Sequence, residues 1–285
     1  MDIANIRKSF VRENYNREAE RYRTSSDVQQ LTLSILFSLV KDHLADLQPR
    51  RVADIGCGLG VAIKAMQDVG LSEDISYIGI DLSPKMIALA KEIYRQDGIG
   101  FQVGDAEALD LPDQSIDLVI ASAMIHWLNQ PKLGNTPARA LSEMNRVLRP
   151  QGLAILATPA IEAFHYRQAY HRVVSRHADQ PYFTDQLYCE DPLGTMSLFD
   201  LIGFAQAASF KIEVGATFYH TYEFPSVAVY ADSVRAYGYN AYMAPFDPEL
   251  RETVWAEIAD EFRQMMGSGI YTHEIYSNYL ALRKP

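Results

Sequence analysis

Short runs of apolar residues alternate with longer amphipathic stretches along this chain, and each run ends in small or acidic residues. Arg51–Ile55, Ile75–Ile80, Gly100–Val103, Ile116–Ala121 and Leu153–Ala157 hold apolar residues at nearly consecutive positions. That pattern suits strands covered on both faces. A helix is predicted over Ala138–Leu148, followed by a turn at Arg149-Pro150-Gln151-Gly152. Five strand-then-helix units in register predict an open α/β sheet, mostly parallel, with helices on both faces. Ahead of it, Ile3, Ile6 and Phe10 form one stripe and Tyr15, Ala19 and Tyr22 another, so residues 1–24 read as helical. A second helix runs from Asp27 to about Asp46 and is broken by Pro49. After the fifth strand, Leu198–Ser209 reads as a helix. Phe210–Phe224 and Tyr271–Arg283 read as an antiparallel pair that completes seven strands. Two stretches, about 160–195 and 225–267, have helical spacing, as in Val227, Tyr230, Val234 and Tyr237. They are expected to cap the carboxyl edge of the sheet, where open α/β folds bind ligands. The chain is accordingly divided into a lid (1–48), a core (49–160) and a final part with the remaining strands and cap insertions (161–285).

Candidate chemistry concentrates at the strand ends. Asp54 closes the first strand, and Gly56, Gly58 and Gly60 follow it at alternate positions. Glycine there lets bare backbone approach a ligand and tolerates positive φ. Asp81 ends the second strand, where a carboxylate can accept both hydroxyls of a ribose. Gly104-Asp105-Ala106 follows the third strand and offers an edge for reading an adenine amino group. Ser122 through Trp127 follow the fourth. A dinucleotide site needs G-x-G-x-x-G to rest phosphates on a helix N-terminus. Here Gly60 is followed by Val61 and Ala62, so the third glycine of that pattern is missing.

These residues resemble the class I S-adenosylmethionine (SAM) dependent methyltransferases. The D-x-G-x-G-x-G of that family stands as Asp54, Gly56, Gly58 and Gly60, with its ribose-side acid at Asp81 and its adenine-side acid at Asp105. The family's R-V-L-x-P-G-G is matched by Arg146-Val-Leu-Arg-Pro-Gln-Gly152, with Gln151 in place of the first glycine. The resemblance covers about residues 50–160 strongly and implies a Rossmann-like seven-stranded sheet with one antiparallel strand. It implies SAM as cofactor and S-adenosylhomocysteine (SAH) as product. It also implies that Gly56 and Gly58 line the amino-acid part, with Asp54 holding the loop or the ammonium. Asp81 would take the ribose, Leu82 and Met86 would flank the adenine, and Asp105 with Ala106 would meet its edge. Gly60, Ser122 and the lid tyrosines Tyr15 and Tyr22 complete the expected cofactor set, Tyr22 also being a catalytic candidate.

Composition narrows the partners. With 48% hydrophobic and 22% charged residues the chain is an ordinary globular protein, and its formal charge is −10. Nucleic-acid binding requires Lys and Arg against phosphates, and no basic cluster offsets the acidity. The only cysteines are Cys57 and Cys189, Cys57 expected as a small buried thiol. Neither a disulfide framework nor a metal spacing is visible. The N-terminus lacks the apolar core of a signal peptide and no apolar run is long enough to span a bilayer, so the cytoplasm is the expected address. The oligomeric state is left open.

Methyl transfer from a sulfonium is an in-line displacement, in which alignment of donor and acceptor can supply about 7–11 kcal/mol of the barrier. A carboxylate acceptor needs no base, whereas a hydroxyl, amine or carbon acceptor usually does. His126 is the leading candidate base, ahead of His165, His171 and His220. Arg167, Arg172 and Arg235 are candidates for clamping an acidic acceptor. Ten of the seventeen tyrosines lie between residues 160 and 245, and several are expected to line an acceptor pocket. The expected function is methylation of a small metabolite or natural product, as in biosynthesis. Two alternatives stand beside it. The segment Phe10–Tyr22 with Val28-Gln-Gln30 resembles the start of enzymes that methylate the free carboxyl of malonyl groups on acyl carrier protein, which would then be a partner. A SAM-binding sensor without transferase activity is the other.

Overall fold

The computed structural model describes residues 3–23, 27–71, 74–130, 137–160, 165–181, 183, 194–236, 243, 245–267 and 269–285. Seven strands form one sheet: β1 (Arg51–Ile55), β2 (Ser76–Asp81), β3 (Ile99–Val103), β4 (Ile116–Ser122), β5 (Leu148–Pro159), β6 (Lys211–Phe224) and β7 (Tyr271–Arg283). Their spatial order is β3-β2-β1-β4-β5-β7-β6, and only β7 runs against the others. The predicted Rossmann-like architecture, with its single antiparallel strand, is the one observed.

Alternate residues of the central strands are buried on opposite faces, which is why the runs look continuously apolar. Val52 of β1 with Leu118 and Ile120 of β4 faces α2 (Asp27–Leu47) and α3 (Val61–Asp68). Ala53, Val119 and Ala121 face α5 (Ala138–Val147) and α7 (Leu198–Ala207). The buried Asp117 carboxylate in β4 accepts the Arg50 and Arg51 N–H groups at 2.9 and 2.8 Å and pairs with Arg149. The start of β1 is thereby fixed against β4.

The turn expected at Arg149–Gly152 is instead a bulge inside β5, because the β4 pairing jumps from Leu148 to Leu153. Gln151 there has φ +64°. A residue with a side chain is disfavoured in that region by roughly 1–2 kcal/mol. The Gln151 N–H to the Lys284 carbonyl at 3.0 Å and the Arg283 guanidinium on the Gln151 carbonyl at 2.9 Å hold it in place.

Helix α1 (Ile3–Tyr22) crosses the carboxyl edge of the sheet. Its Ala19 packs with Met86 and Leu89 of α4 (Pro84–Ile93). Helices α6 (His165–His177), α8 (Val227–Ala236) and α9 (Pro248–Met266) form a separate core around Tyr170, Tyr230, Trp255 and Phe262, joined by Phe10 of α1 and by Trp127. Strands β6 and β7 are much longer than β1–β3. Beyond Ser277, β7 pairs only with β6, so a two-stranded ribbon rises past the sheet edge toward these helices. Among the described residues no helix is long and apolar enough to cross a membrane, and no cluster of three or more His, Cys, Asp or Glu could hold a metal ion.

Candidate active site

The first strand-to-helix loop is tied down through backbone. Gly56 and Cys57 both donate N–H groups to the Ile80 carbonyl, at 2.7 and 3.1 Å. Gly56 has φ +73°, and a Cβ there would lie 2.4 Å from Met124 Cγ, so only glycine lets the loop and the segment after β4 meet. Gly58 also has positive φ and its face is open except for the Tyr22 ring, 3.9 Å from where a Cβ would sit. Bare backbone is therefore covered by a lid tyrosine. Cys57 is buried, with its sulfur against Gly79, as its expected role requires.

Asp81 joins this loop to the next. One carboxylate oxygen accepts the Gly58 N–H at 2.9 Å and the other the Ser83 N–H at 2.8 Å. Burial raises its pKa, and these two bonds oppose the rise. Each oxygen keeps a further lone pair, and the side chain lines the cleft. Ser83 caps α4 and donates its hydroxyl to Asn16 of α1 at 2.7 Å. Asp105 follows β3. It pairs with Lys8 of α1 at 2.7 Å, and Lys8 also pairs with Glu107. Helix α1 thus rests on the loops after both β2 and β3.

Ser122 closes β4 with its hydroxyl oxygen buried and without a hydrogen-bond partner among the described residues. The chain then makes a short 3-10 turn, Ile125–Leu128, which sets His126 beneath the cap with 4% of its surface exposed. His126 Nδ1 lies 3.3 Å from the Thr158 hydroxyl of β5. The Trp127 ring lies tilted against His126, their centres 4.9 Å apart, and Tyr15 meets Trp127 edge-on at 5.9 Å.

One continuous cleft connects these groups. At one end lie Gly56, Gly58, Asp81, Leu82, Met86, Asp105, Ala106 and Ser122. At the other lie His126, Trp127, Thr158, Tyr230 and the β7 residues His273, Ile275, Tyr276 and Ser277. Tyr15 and Tyr22 line it from above. Open glycine backbone, a carboxylate with spare lone pairs and an unpartnered serine hydroxyl fit a ligand with sugar hydroxyls and no phosphate.

Two expected contacts fall outside this lining. The Asp54 carboxylate turns beneath the loop and accepts the Tyr77 hydroxyl at 2.6 Å. Burial pushes its pKa up to about 7, the Tyr77 hydrogen bond opposes that, and nearby Asp81 adds to it. Of its two expected roles, holding the loop is the one this geometry offers. Gly60 begins α3 with φ +80°, and a Cβ there would press on Tyr94 and Phe101 at 3.0 and 3.1 Å, so its glycine serves packing.

The cap side departs further from expectation. His171 and His220 do not line the cleft, and the side chain of His165 lies outside the description. Arg172 pairs with Glu261, Arg235 with Glu252, and Arg167 donates to Thr195. None of the three lines the cleft: Arg172 and Arg235 join α6 and α8 to α9, Arg235 also lies near Glu18 of α1, and Arg167 ties α6 to the segment before α7. The tyrosine-rich stretch behaves likewise. Tyr170 is buried in the cap core, Tyr219 is exposed, and Tyr222 donates to Asp27 at 3.0 Å. Tyr230 alone of its described members lines the cleft, while Tyr182, Tyr188, Tyr237, Tyr239, Tyr242 and Cys189 lie outside the described residues, as does the side chain of Tyr166. Sequence reasoning does not single out His273. The available signal is the alternation His273, Ile275, Ser277 along one strand face.

Comparison with known proteins bears on this geometry. Residues 53–156 match the sequence profile of a methyltransferase domain. The malonyl-[acyl-carrier protein] O-methyltransferase of Yersinia pestis is 30% identical over 156 residues, covering 55% of this chain and 52% of that protein. The demethylmenaquinone methyltransferase of Renibacterium salmoninarum is 31% identical over 140 residues, covering 49% and 54%. The chain spans about half the length of the curated relatives it matches. Among solved structures, the candidate methyltransferase in complex with the Haloferax volcanii Trm112 methyltransferase activator superposes with a TM-score of 0.54, at 18% identity over 95% of this chain and 97% of that one. The [4+2]-cyclase SpnF superposes at 0.50, with 21% identity over 86% and 80%. These two likenesses concern the fold alone.

Proposed function

We propose that this chain is a class I SAM-dependent methyltransferase, a reading supported by the match of residues 53–156 to a methyltransferase domain, and that it methylates a small-molecule acceptor held in the His126 end of the cleft. The observation that carries the reading is a single cleft with two chemically distinct ends, one of backbone and carboxylate, the other of rings, hydroxyls and imidazole. SAM, when bound, supplies an electrophilic methyl group on a cationic sulfur. Asp81 holds the ribose side, Leu82 and Met86 flank the adenine, and Asp105 with Ala106 reads its edge. Gly56 and Gly58 line the amino-acid end with Asp54 fixing the loop from beneath, and Ser122 offers its hydroxyl. Tyr15 and Tyr22, on a lid of residues 1–48, exclude water from the core. His126, steadied by Thr158, accepts a proton from an acceptor hydroxyl or amine, the role of a base near the reacting atom.

Two other readings have specific support. Several similar curated proteins are malonyl-[acyl-carrier protein] O-methyltransferases, and exposed Arg12 at the cleft mouth could meet an acidic carrier. The other is a SAM-binding protein without transferase activity, since one fold hosts many reactions and this one is shared with a [4+2]-cyclase. Incubation with methyl-labelled SAM, a metabolite extract and, separately, malonyl-acyl carrier protein decides among them. Label in a small product supports the leading reading. Label only in the carrier-bound ester moves the assignment to the second, and tight SAM binding without any transfer moves it to the third.

A further inference from the structure

Three aromatic rings run along the cleft from its glycine loop to His126. Tyr22 covers the open face of Gly58, its ring 3.9 Å from where a Cβ would sit. Tyr15 precedes it by about two turns of α1 and so stands on the same stripe of the helix. The two rings meet edge-on, with centres 6.2 Å apart and planes at 77°. Trp127 meets Tyr15 in turn at 5.9 Å and 89°, and its indole lies against His126. The middle ring is thus set nearly at right angles to both neighbours, and all three line the cleft.

The fold fixes this row from both sides. Tyr15 and Tyr22 pack with Ala19, Leu59, Met86 and Leu89 above the cofactor loops. Tyr15 also packs against the cap core, to which Trp127 belongs. Asn16, next to Tyr15 in α1, accepts the Ser83 hydroxyl and so ties the helix to the loop after β2. The rings therefore bracket the span between Gly58 and His126, where a methyl donor must meet its acceptor. An aromatic face is electron-rich, and walls of such rings are what aromatic cages use to hold onium cations.

We infer, resting on the methyltransferase reading, that Tyr22, Tyr15 and Trp127 form an aromatic wall for the sulfonium of SAM. Tyr15, at the centre of the row, is then a specificity residue. It makes the cleft prefer a cationic donor to SAH, whose sulfur is uncharged.

Calorimetry on the full chain tests this with SAM, SAH and sinefungin. Sinefungin shares their adenosine and amino-acid groups and has a protonated amine where SAM has its charged sulfur. SAM and sinefungin are each expected to bind at least about fivefold more tightly than SAH, as a desolvated ring favours a cation. Tyr15→Leu is expected to lose most of that preference, and Tyr15→Phe, which retains the ring, to keep it. A role in packing alone would weaken all three ligands alike and leave the ratio unchanged. The Asp81 carboxylate favours a cation in every variant, so the leucine and phenylalanine proteins together isolate the ring. Should Tyr15→Leu fail to fold, Tyr22→Leu takes its place. Wild-type protein that binds SAM and SAH alike, or a leucine variant with the wild-type ratio, overturns this inference alone. Protein that holds SAM and SAH alike yet binds tetramethylammonium when loaded with SAH would put the cation on the acceptor, which overturns it too. Wild-type protein that binds neither SAM nor SAH overturns the methyltransferase reading and this inference with it.

Discussion

The two ends of the cleft are built by different means. The proposed cofactor end consists of three loops that each follow a strand directly, bound to one another through backbone and one carboxylate: Gly56 and Cys57 to the Ile80 carbonyl, Gly58 to the Asp81 side chain, and Gly104 to the Asp81 carbonyl. The proposed acceptor end has backbone ties at its base, Ala123 N–H to the Ala157 carbonyl and Ala160 N–H to the Tyr276 carbonyl, but side chains form its walls. Its wall is assembled from side chains of α1, the 3-10 turn, β5, α8 and β7, which meet only in the folded chain. A site fixed by backbone recognises one ligand in one pose. A site fixed by side chains can change its ligand without disturbing the sheet.

The largest test concerns the electrostatic cost stored at the cofactor end. Asp54 has its pKa lifted to about 7 by burial, against roughly 3.9 in an unfolded chain. A carboxyl raised on folding stabilises the protein fully below its unfolded value, and that contribution is lost as pH rises through the folded one. Stability should therefore fall between about pH 4 and 7, by at most about 4 kcal/mol from this group. Asp54→Asn keeps an acceptor for Tyr77 and should remove most of that slope, read by denaturant melts across the range. An unchanged slope would assign the pH dependence to other groups. Gly56→Ala comes next. It combines a side chain at φ +73° with a Cβ against Met124, and should cost about a hundredfold in SAH affinity, since the αL conformation alone costs roughly 1–2 kcal/mol. If affinity survives within a few fold, the loop is not the backbone-built site described.

The same contrast explains what could be read from the chain. Gly56, Gly58, Asp81 and Asp105, which line the cleft, are legible because each stands at or just after the end of a strand, so sequence distance and spatial distance coincide. The seven strands and the first two helices are legible from apolar spacing. Gly60 is expected at a ligand, yet it faces neighbours within the protein, and of the two roles expected of Asp54 the geometry offers only that of holding the loop. Glycine spacing reveals where backbone is crowded, not what crowds it. The cap tyrosines mislead for a related reason: aromatic residues fill a three-helix core as readily as they line a pocket. His273 escapes notice because its neighbours in the site come from distant parts of the sequence, and a ribbon rising past a sheet edge leaves no mark beyond strand length.

Asp81→Ala gives the third effect, at least tenfold in SAH affinity. The variant also frees the Gly58 and Ser83 N–H groups, so the thermal midpoint must be measured beside the calorimetry. Asp81→Asn separates the roles, because it keeps an acceptor for one N–H while removing the charge. Affinity unchanged in both variants would remove Asp81 from the site.

Lys8 should give the smallest effect and the one most specific to the lid. Its ammonium pairs with Asp105 and Glu107 across the cleft while remaining partly exposed. Exposed pairs of this kind contribute about 0.2–1 kcal/mol each. They hold α1 against the loop whether or not ligand lies beneath it, so breaking them should open both the entry and the exit path. Lys8→Met is expected to leave the SAH dissociation constant within about threefold, while association and dissociation both quicken in stopped-flow traces. Salt supplies the control. At 1 M the screening length is about 3 Å, so added salt should accelerate the wild type and leave Lys8→Met largely unaffected. Equal rates in the two proteins at low salt would mean that α1 is held by its other contacts, with α4 and with the cap core, and that the Lys8 pairs do not gate the cleft.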